Sequence, residues 1–450
     1  MTCYSFRLVS LGCAKNLVDS EGLAGQLVRA GWRMIGDGPA DLVVVNTCGF
    51  VEDAAQESVD TLLAEIEAKK AGRARWLAAV GCLPQKYREE LAQAMPEIDL
   101  VLGVGDMGRL PHLVAGLPRR KKQVALFADP ETVYRESQNR LLSTPPFRAY
   151  LKIAEGCSNH CAYCIIGRLR GPYRSRPPEA ILAEAAALAE RGVKELSLVA
   201  QDLTLYGRDL SPRTSLVKLL RALDRVAGIR WIRLLYAHPA RVDESLARAL
   251  ASCRKVAPYL DVPFQHISDH LLQRMGRPQT HAGSQAVVER LRRWIPDIAI
   301  RTTFLVGHPG ETDADFRELL AFVKENRFAH VGVFAWSPEE GTPSYEQSDW
   351  VDAETRVERA ARLMKAQQVI SRQLWREWRG REVEVLIEET LHKHSGRAYS
   401  HVGRVAQQAP EVDGAIYVRA PAEESCGPGQ LVRARVTRSD AYDLFADLIL

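Results

Sequence analysis

The chain has no stretch approaching about eighteen consecutive apolar residues, so no membrane-spanning helix is expected. Its opening, MTCYSFRLVSLGC, lacks a basic segment followed by an apolar one. It reads as a folded strand and not as a secretory leader, and the expected location is cytoplasmic. Charge of one sign is scarce: the formal net charge is +4 over 450 residues. That balance neither demands nor excludes a nucleic-acid partner. Internal repeats and low-complexity tracts are absent. What is abundant is cysteine, with nine residues. An odd number in a reducing compartment argues against a disulfide framework and for metal ligation or catalysis.

Apolar residues make up 46% of the chain and charged residues 26%, both ordinary for globular protein. The length exceeds one ordinary core, so two or three domains are expected. The first, 1–138, alternates short apolar runs with helical patterns. Phe6–Leu11, Leu42–Asn46 and Trp76–Val80 read as buried strands, with Leu17–Ala30 and Ala54–Lys69 as helices between them. Such alternation predicts an α/β fold with a parallel sheet. A polar stretch, Tyr134–Arg148, has the composition of a linker. The second domain, 148–374, offers six strands: Ala149–Ala154, Glu195–Ala200, Trp231–Tyr236, Tyr259–Val262, Ala299–Val306 and His330–Ala335. With helical patterns such as Pro178–Arg191 between them, they suggest an incomplete TIM-like (β/α)6 barrel. The third, 375–450, follows the amphipathic run Thr355–Trp378. Val383–Ile387, Ala415–Arg419 and Leu431–Thr437 are rich in β-branched residues and punctuated by segments such as Glu424–Gly429. They predict a small antiparallel β-barrel.

The sharpest local signal is GCSNHCAYC, with Cys157, Cys161 and Cys164 directly after a strand. Three thiolates in eight residues can wrap one soft-metal centre, either zinc or a cubic iron–sulfur cluster. Zinc asks for a fourth ligand, which His160 would have to supply. A cluster with one iron left open fits three cysteines better. A second set is dispersed: Cys13, Cys48 and Cys82 each lie one to two residues past an expected strand. Neighbouring parallel strands would bring such loops together at the carboxyl edge, where α/β sheets bind ligands. A second cluster with an open iron is the natural occupant. Cys253, in SLARALASC, reads as packing; Cys3 and Cys426 receive no role.

The spacing C-x-x-x-C-x-aromatic-C, with Tyr163 at the aromatic place, resembles the radical S-adenosylmethionine enzymes. The motifs SLGCAKNLVDSE, VVNTCGF, VGCLPQ and YLKIAEGCSNHCAYCIIGRLRG extend the resemblance along nearly the whole chain, to the methylthiotransferases of that superfamily. The resemblance implies an N-terminal cluster domain, a radical barrel and a C-terminal TRAM domain. One branch modifies adenosine in tRNA; the RimO type modifies an aspartate of the twelfth small-subunit ribosomal protein. GCAKNLVDSE, AQDLTLYG, LLYAHPARV, YLDVPFQH and APEVDGAIYV look like the RimO type. Gly167 departs from the pattern, standing where the family usually carries proline. Charge adds a separate argument. From Arg376 to Leu450 there are ten Lys/Arg and twelve Asp/Glu, a net of −2. An RNA-gripping module would be basic, so the barrel suits a basic protein partner better.

The resemblance further implies two [4Fe-4S] clusters, S-adenosylmethionine and an electron donor such as a flavodoxin or ferredoxin. One cofactor molecule would donate methyl to sulfur at the Cys13/Cys48/Cys82 site. The other would yield a 5′-deoxyadenosyl radical at Cys157/Cys161/Cys164, which removes hydrogen from the aspartate β-carbon. For the cofactor pocket the sequence offers Gln201 and Asp202 at a strand end, Arg233 as a carboxylate partner, and Gly307 and Gly310 in GHPGET for close backbone approach. A structural ion pair for Arg233 and a simple turn for the glycines compete with these readings. His238, His266 and His308 read as satisfied structural histidines, and Trp375 with Trp378 as packing at a domain junction. The rival functions are tRNA adenosine methylthiolation, a non-catalytic iron–sulfur electron carrier and a zinc-binding RNA-interaction protein.

Overall fold

The computed structural model describes residues 4–119, 122–131, 140–391, 399–421 and 426–449. Cys3, residues 134–139 of the expected linker and residues 424–425 lie outside them. Among the described residues no helix is long and apolar enough to cross a membrane.

The N-terminal unit is a six-stranded parallel sheet in the order β2-β1-β3-β4-β5-β6. Its strands are β1 Ser5–Ser10, β2 Arg33–Met34, β3 Ala40–Thr47, β4 Ala74–Gly81, β5 Leu100–Gly103 and β6 Val124–Leu126. The helices α1 Ala14–Arg29, α2 Glu52–Lys70 and α3 Cys82–Ala94 cover it, α3 being broken at Arg88. Central strands of such a sheet are buried on both faces, which is why β3 and β4 read as near-continuous apolar runs. The three strands missed by pattern, β2, β5 and β6, have two to four residues each, too short for a periodic signal.

The register of this sheet decides where the cysteines go. Ser10 pairs with Asn46, and Asn46 with Val80, so β1, β3 and β4 end level with one another. Cys13, Cys48 and Cys82 follow those ends and share the carboxyl edge.

The second unit is an open sheet of six parallel strands in sequential order: β7 Arg148–Lys152, β10 Glu195–Val199, β11 Trp231–Leu234, β12 Val256–Asp261, β13 Ala299–Val306 and β14 His330–Ala335. A two-stranded ribbon, β8 Ala154–Glu155 with β9 Arg174–Ser175, frames the loop of Cys157, Cys161 and Cys164. The core between strands and outer helices is aliphatic and aromatic, with Leu198, Leu234, Leu260, Phe304 and Phe328 fully buried.

The open lumen is filled by the neighbouring units. Val18 of α1 and Ala409 from the C-terminal unit pack with Tyr150, Val199, Leu235, Ala257, Tyr259 and Ala299. The C-terminal unit is a closed five-stranded barrel of β15 Glu382–Thr390, β16 His401–Val405, β17 Ile416–Arg419, β18 Leu431–Ser439 and β19 Leu444–Leu448. It is not wholly antiparallel, because β17 and β19 pair in parallel. A closed ring with an odd number of strands cannot alternate direction throughout, so one parallel neighbour is unavoidable. Trp375, at the end of the long helix Ala353–Arg376, is buried in the core of this barrel and meets Trp378 with ring centroids 5.0 Å apart.

Candidate metal centres and the junction between them

Cys13 caps α1, and its backbone oxygen accepts the first helical bond from Leu17 N at 3.1 Å. Burial opposes ionisation of its thiol. The positive charges of Lys15 and Arg170, with the N–H groups of Asn16 and Lys15, outweigh that and hold it below the usual thiol range. Gly12 adopts φ +84°, and a Cβ there would lie 2.7 Å from Cys48 Cβ. Only glycine lets the two loops approach so closely. Ser58 Oγ pins the second loop, accepting from Cys48 N at 3.0 Å and donating to Cys48 O at 2.8 Å. Gly81, at φ +103°, turns the chain so that Cys82 opens α3; its missing Cβ would lie 2.4 Å from Asn46 Oδ1. Burial pushes the Cys82 thiol up to about 11. The Cys13 thiol acts electrostatically on Cys48, and both act on Cys82, which places the three near one another.

The second trio follows the ribbon strand β8. Gly156, at φ +77°, brings its α-carbon against Pro172 O, and Cys157 N donates to Gly171 O at 3.0 Å. The loop is gripped on both sides: Ala162 N donates to Met275 O at 2.8 Å, and Ser344 N to Ala162 O at 2.9 Å. Asn159 donates to Cys157 Sγ from its backbone N at 3.4 Å and its side chain at 3.5 Å. Arg277 reaches Cys161 Sγ at 3.7 Å and Tyr163 Oη at 3.3 Å. Burial and the neighbouring thiols push the Cys164 thiol up to about 12. His160, the conceivable fourth zinc ligand, is exposed.

Among the described residues no three His, Cys, Asp or Glu side chains stand close enough to hold a single metal ion. Zinc gathers its ligands round one atom. A cubane receives each thiolate on a different iron, so its ligands stand further apart. The donor chemistry of each trio, three thiolates, suits a soft iron–sulfur centre.

Between the trios lies a buried ionic junction. Asp19 on α1 meets Lys152 at the end of β7 and Arg170, the latter at 3.0 Å. Glu155 on β8 meets Lys152 at 2.6 Å and Arg170 at 2.9 Å. Arg170 also contacts Asn16 Oδ1, and Asn16 Nδ2 donates to Leu11 O at 3.0 Å and Thr47 O at 2.9 Å. All four charged residues are buried. Two cations against two carboxylates leave the cluster neutral, which offsets part of the desolvation cost. Burial works against the Glu155 carboxylate, yet Arg170 and Lys152 hold it well below the usual range.

The structure divides the residues proposed for the cofactor pocket. Asp202 lies at the cysteine loop, accepting from Asn159 Nδ2 at 2.8 Å and pairing with Arg241. Gln201 donates to Glu155 Oε1 at 2.9 Å and leaves its own buried Oε1 without a partner. Arg233 is fully buried and occupied otherwise, donating to Glu195 and to Ala406 O, each at 2.8 Å. The ion pair with Glu195 takes up part of the guanidinium, and its buried Nη2 has no hydrogen-bond partner among the described residues. Gly307 and Gly310 have φ +74° and +82°, and Cβ atoms there would meet the Arg356 and Arg274 side chains at 2.1 and 2.6 Å. The space beside them is taken by protein, so a turn packed under arginine explains both. His238 caps a short turn at Ala240 N, His266 accepts from Ser268 N at 3.1 Å, and His308 meets Ser344 Oγ at 2.7 Å. Burial with Arg277 and Arg241 pushes His238 down to about 3, and burial pushes His308 down to about 4. Sequence reasoning missed Asn159, Arg277, Arg241 and the ionic junction. Asn159 lies inside the cysteine motif and was findable there; the others are distant in sequence.

Comparison with known proteins agrees with this architecture. A model described as the Radical SAM superfamily matches residues 151–323. One described as Uncharacterized protein family UPF0004 matches 5–103, and a TRAM domain model matches 380–449. The solved structure of the radical S-adenosylmethionine methyltransferase TsrM from Kitasatospora setae shares the fold, with TM-score 0.58 and 17% identity over 76% of this chain and 77% of its own. The protein named ribosomal protein uS12 methylthiotransferase RimO of Geobacter sulfurreducens is 45% identical over 98% of both chains. Its namesake in Syntrophus aciditrophicus is 46% identical over 99% of this chain and 98% of its own. Identity at this level across essentially every domain means that the chain belongs to the RimO family of radical SAM methylthiotransferases.

Proposed function

We propose that this enzyme methylthiolates the β-carbon of an aspartate in ribosomal protein uS12, using S-adenosylmethionine and two [4Fe-4S] clusters. One cluster and S-adenosylmethionine come with the superfamily; the second is our reading of the N-terminal trio. Cys157, Cys161 and Cys164 would hold the first, and Cys13, Cys48 and Cys82 the second. When bound, the first supplies a 5′-deoxyadenosyl radical that takes hydrogen from an unactivated carbon, and the second holds the sulfur that replaces it. The observation that carries this reading is the buried junction: Arg170 pairs Asp19 of α1 with Glu155 beside the barrel's cysteine loop. One buried ionic group thus ties the helix that follows Cys13 to the strand that precedes Cys157, which supports transfer between two neighbouring sites.

The protein's own residues divide the remaining work. Asn159 and Arg277 donate toward Cys157 and Cys161 sulfur and stabilise negative charge there. The positive charges of Lys15 and Arg170 favour the Cys13 thiolate. The domains are read as 1–138, 148–374 and 375–450, and the electron donor as a flavodoxin or ferredoxin type. Mass spectrometry of uS12 from a strain lacking this gene tests the function. uS12 from that strain should be lighter than the parent strain's by one methylthio group less the hydrogen it replaces. An unchanged uS12 mass, with tRNA lacking methylthioadenosine instead, would transfer the activity to the tRNA branch.

A further inference from the structure

Lys15 occupies an unusual position. It lies in the first turn of α1, two residues after Cys13, and is only 9% exposed. A buried ammonium is ordinarily matched by a carboxylate. The neighbouring cations are matched: Lys152 and Arg170 by Asp19 and Glu155, Arg241 by Asp202. Arg277 has Tyr163 Oη and Pro263 O as acceptors. Among the described residues no carboxylate lies within 4.0 Å of Lys15 Nζ. Its close contact is the Tyr236 ring, with Nζ 3.6 Å from the centroid, while the Cys13 thiol and the more distant Asp261 carboxylate act on it through space.

Tyr236 is itself held in a costly conformation. It follows β11 with φ +68°, a region that bulky residues rarely adopt. Asp261 Oδ2 accepts from its N–H at 3.1 Å, and its carbonyl accepts from Leu203 N at 3.1 Å. Residues held in such strained conformations by surrounding bonds cluster at active sites and ligand clamps. Lys15 and Tyr236 thus bring together the N-terminal trio and the carboxyl end of the barrel strands, where the two halves of the reaction must meet.

We infer that Lys15, presented by Tyr236, receives the side-chain carboxylate of the substrate aspartate, and so selects an acidic residue for modification. The inference rests on the function proposed above. A carboxylate brought against Lys15 loses its water, and an unpaired charge in so buried a place is strongly disfavoured. Pairing with Lys15 removes that cost and fixes the adjacent β-carbon between the two cysteine trios. The same ammonium also favours the Cys13 thiolate. That role alone would make its loss a matter of iron content and not of substrate choice.

The test measures affinity of the full-length enzyme for recombinant uS12 and for uS12 with the target aspartate replaced by asparagine. Wild type should bind the asparagine form about thirtyfold or more weakly, the usual effect of breaking a buried charge pair. Lys15→Met should bind both forms alike, and Lys15→Arg should keep the preference. If Lys15→Met holds less iron, the comparison is made between iron-free wild type and iron-free variant, since charge pairing needs no metal. Equal binding of the two forms by wild type, or an unchanged preference in Lys15→Met, would overturn the role of Lys15. Failure of wild type to bind either form would remove the uS12 assignment itself, and this inference with it.

Discussion

Arg170 and Asp19 form an ion pair at 3.0 Å across the boundary between the N-terminal sheet and the barrel, with both side chains buried. The same guanidinium meets Glu155 at 2.9 Å. Nη1 meets both carboxylates while Nη2 meets Asn16 Oδ1, and a planar group so held specifies orientation as well as closeness, which a single ammonium cannot do. Removing it would leave Asp19, Glu155 and Asn16 Oδ1 short of a partner in a dry environment. Arg170→Met should therefore destabilise the iron-free protein by about 3–5 kcal/mol. Denaturant unfolding would register this as a lower midpoint, and Arg170→Lys should recover only part of it.

The two trios should separate functionally. Cys157→Ala is expected to abolish cleavage of S-adenosylmethionine to 5′-deoxyadenosine. Cys48→Ala should keep cleavage and stop sulfur insertion, because its loop lies on the other sheet edge. Chromatography of 5′-deoxyadenosine alongside the uS12 mass distinguishes these outcomes. Methylthiolated uS12 from the Cys48 variant would end the two-site division of labour.

Gly156 should not tolerate a side chain. Its φ is +77°, and a Cβ would stand 2.1 Å from Pro172 O, a backbone atom that cannot swing away. The left-handed conformation alone costs an L-residue about 1–2 kcal/mol, and the clash adds to it. Gly156→Ala should shift the following cysteine and lower iron bound after anaerobic reconstitution. Gly192→Ala is the control for backbone conformation, since it has φ +94° but nothing within 4 Å.

Asp261 makes stability pH-dependent. Burial raises its carboxyl to about 6 from a usual 3.8, with Arg301 and Tyr236 N–H only partly compensating. A raised folded value favours the protonated form. The associated stability is present below the ordinary carboxylate range and is lost as pH rises through about 6. Asp261→Asn mimics the neutral state and can still accept from Tyr236 N–H. It should stabilise the protein at pH 8 by up to roughly 3 kcal/mol and have little effect near pH 4. Thermal melts of both proteins across that range would show the curves converging at the acidic end.

Much of the architecture was written in local pattern. The six strands of the barrel unit and β1, β3 and β4 of the first sheet announce themselves as apolar runs, because parallel strands are buried on both faces. Short strands such as β2 and β6 carry too few residues to show a period. The triplet Cys157, Cys161 and Cys164 is a contiguous motif, so spacing alone identified it. Arg233, Gly307 and Gly310 looked like pocket residues by position. Only packing showed Arg233 spent on Glu195 and the glycines covered by Arg356 and Arg274.

By itself, then, the sequence determined the longer elements, the contiguous cysteine loop and the family resemblance, all of which depend on neighbours along the chain. Tertiary structure alone decided three things. It set the level register that gathers Cys13, Cys48 and Cys82, and the junction that joins Asp19 to Arg170 over 151 positions. It also left Lys15 buried against Tyr236 without a carboxylate. A charged residue in the first turn of a helix looks solvated from sequence. Whether it is depends on which surface the helix meets, and that is settled by contacts between segments the chain keeps far apart.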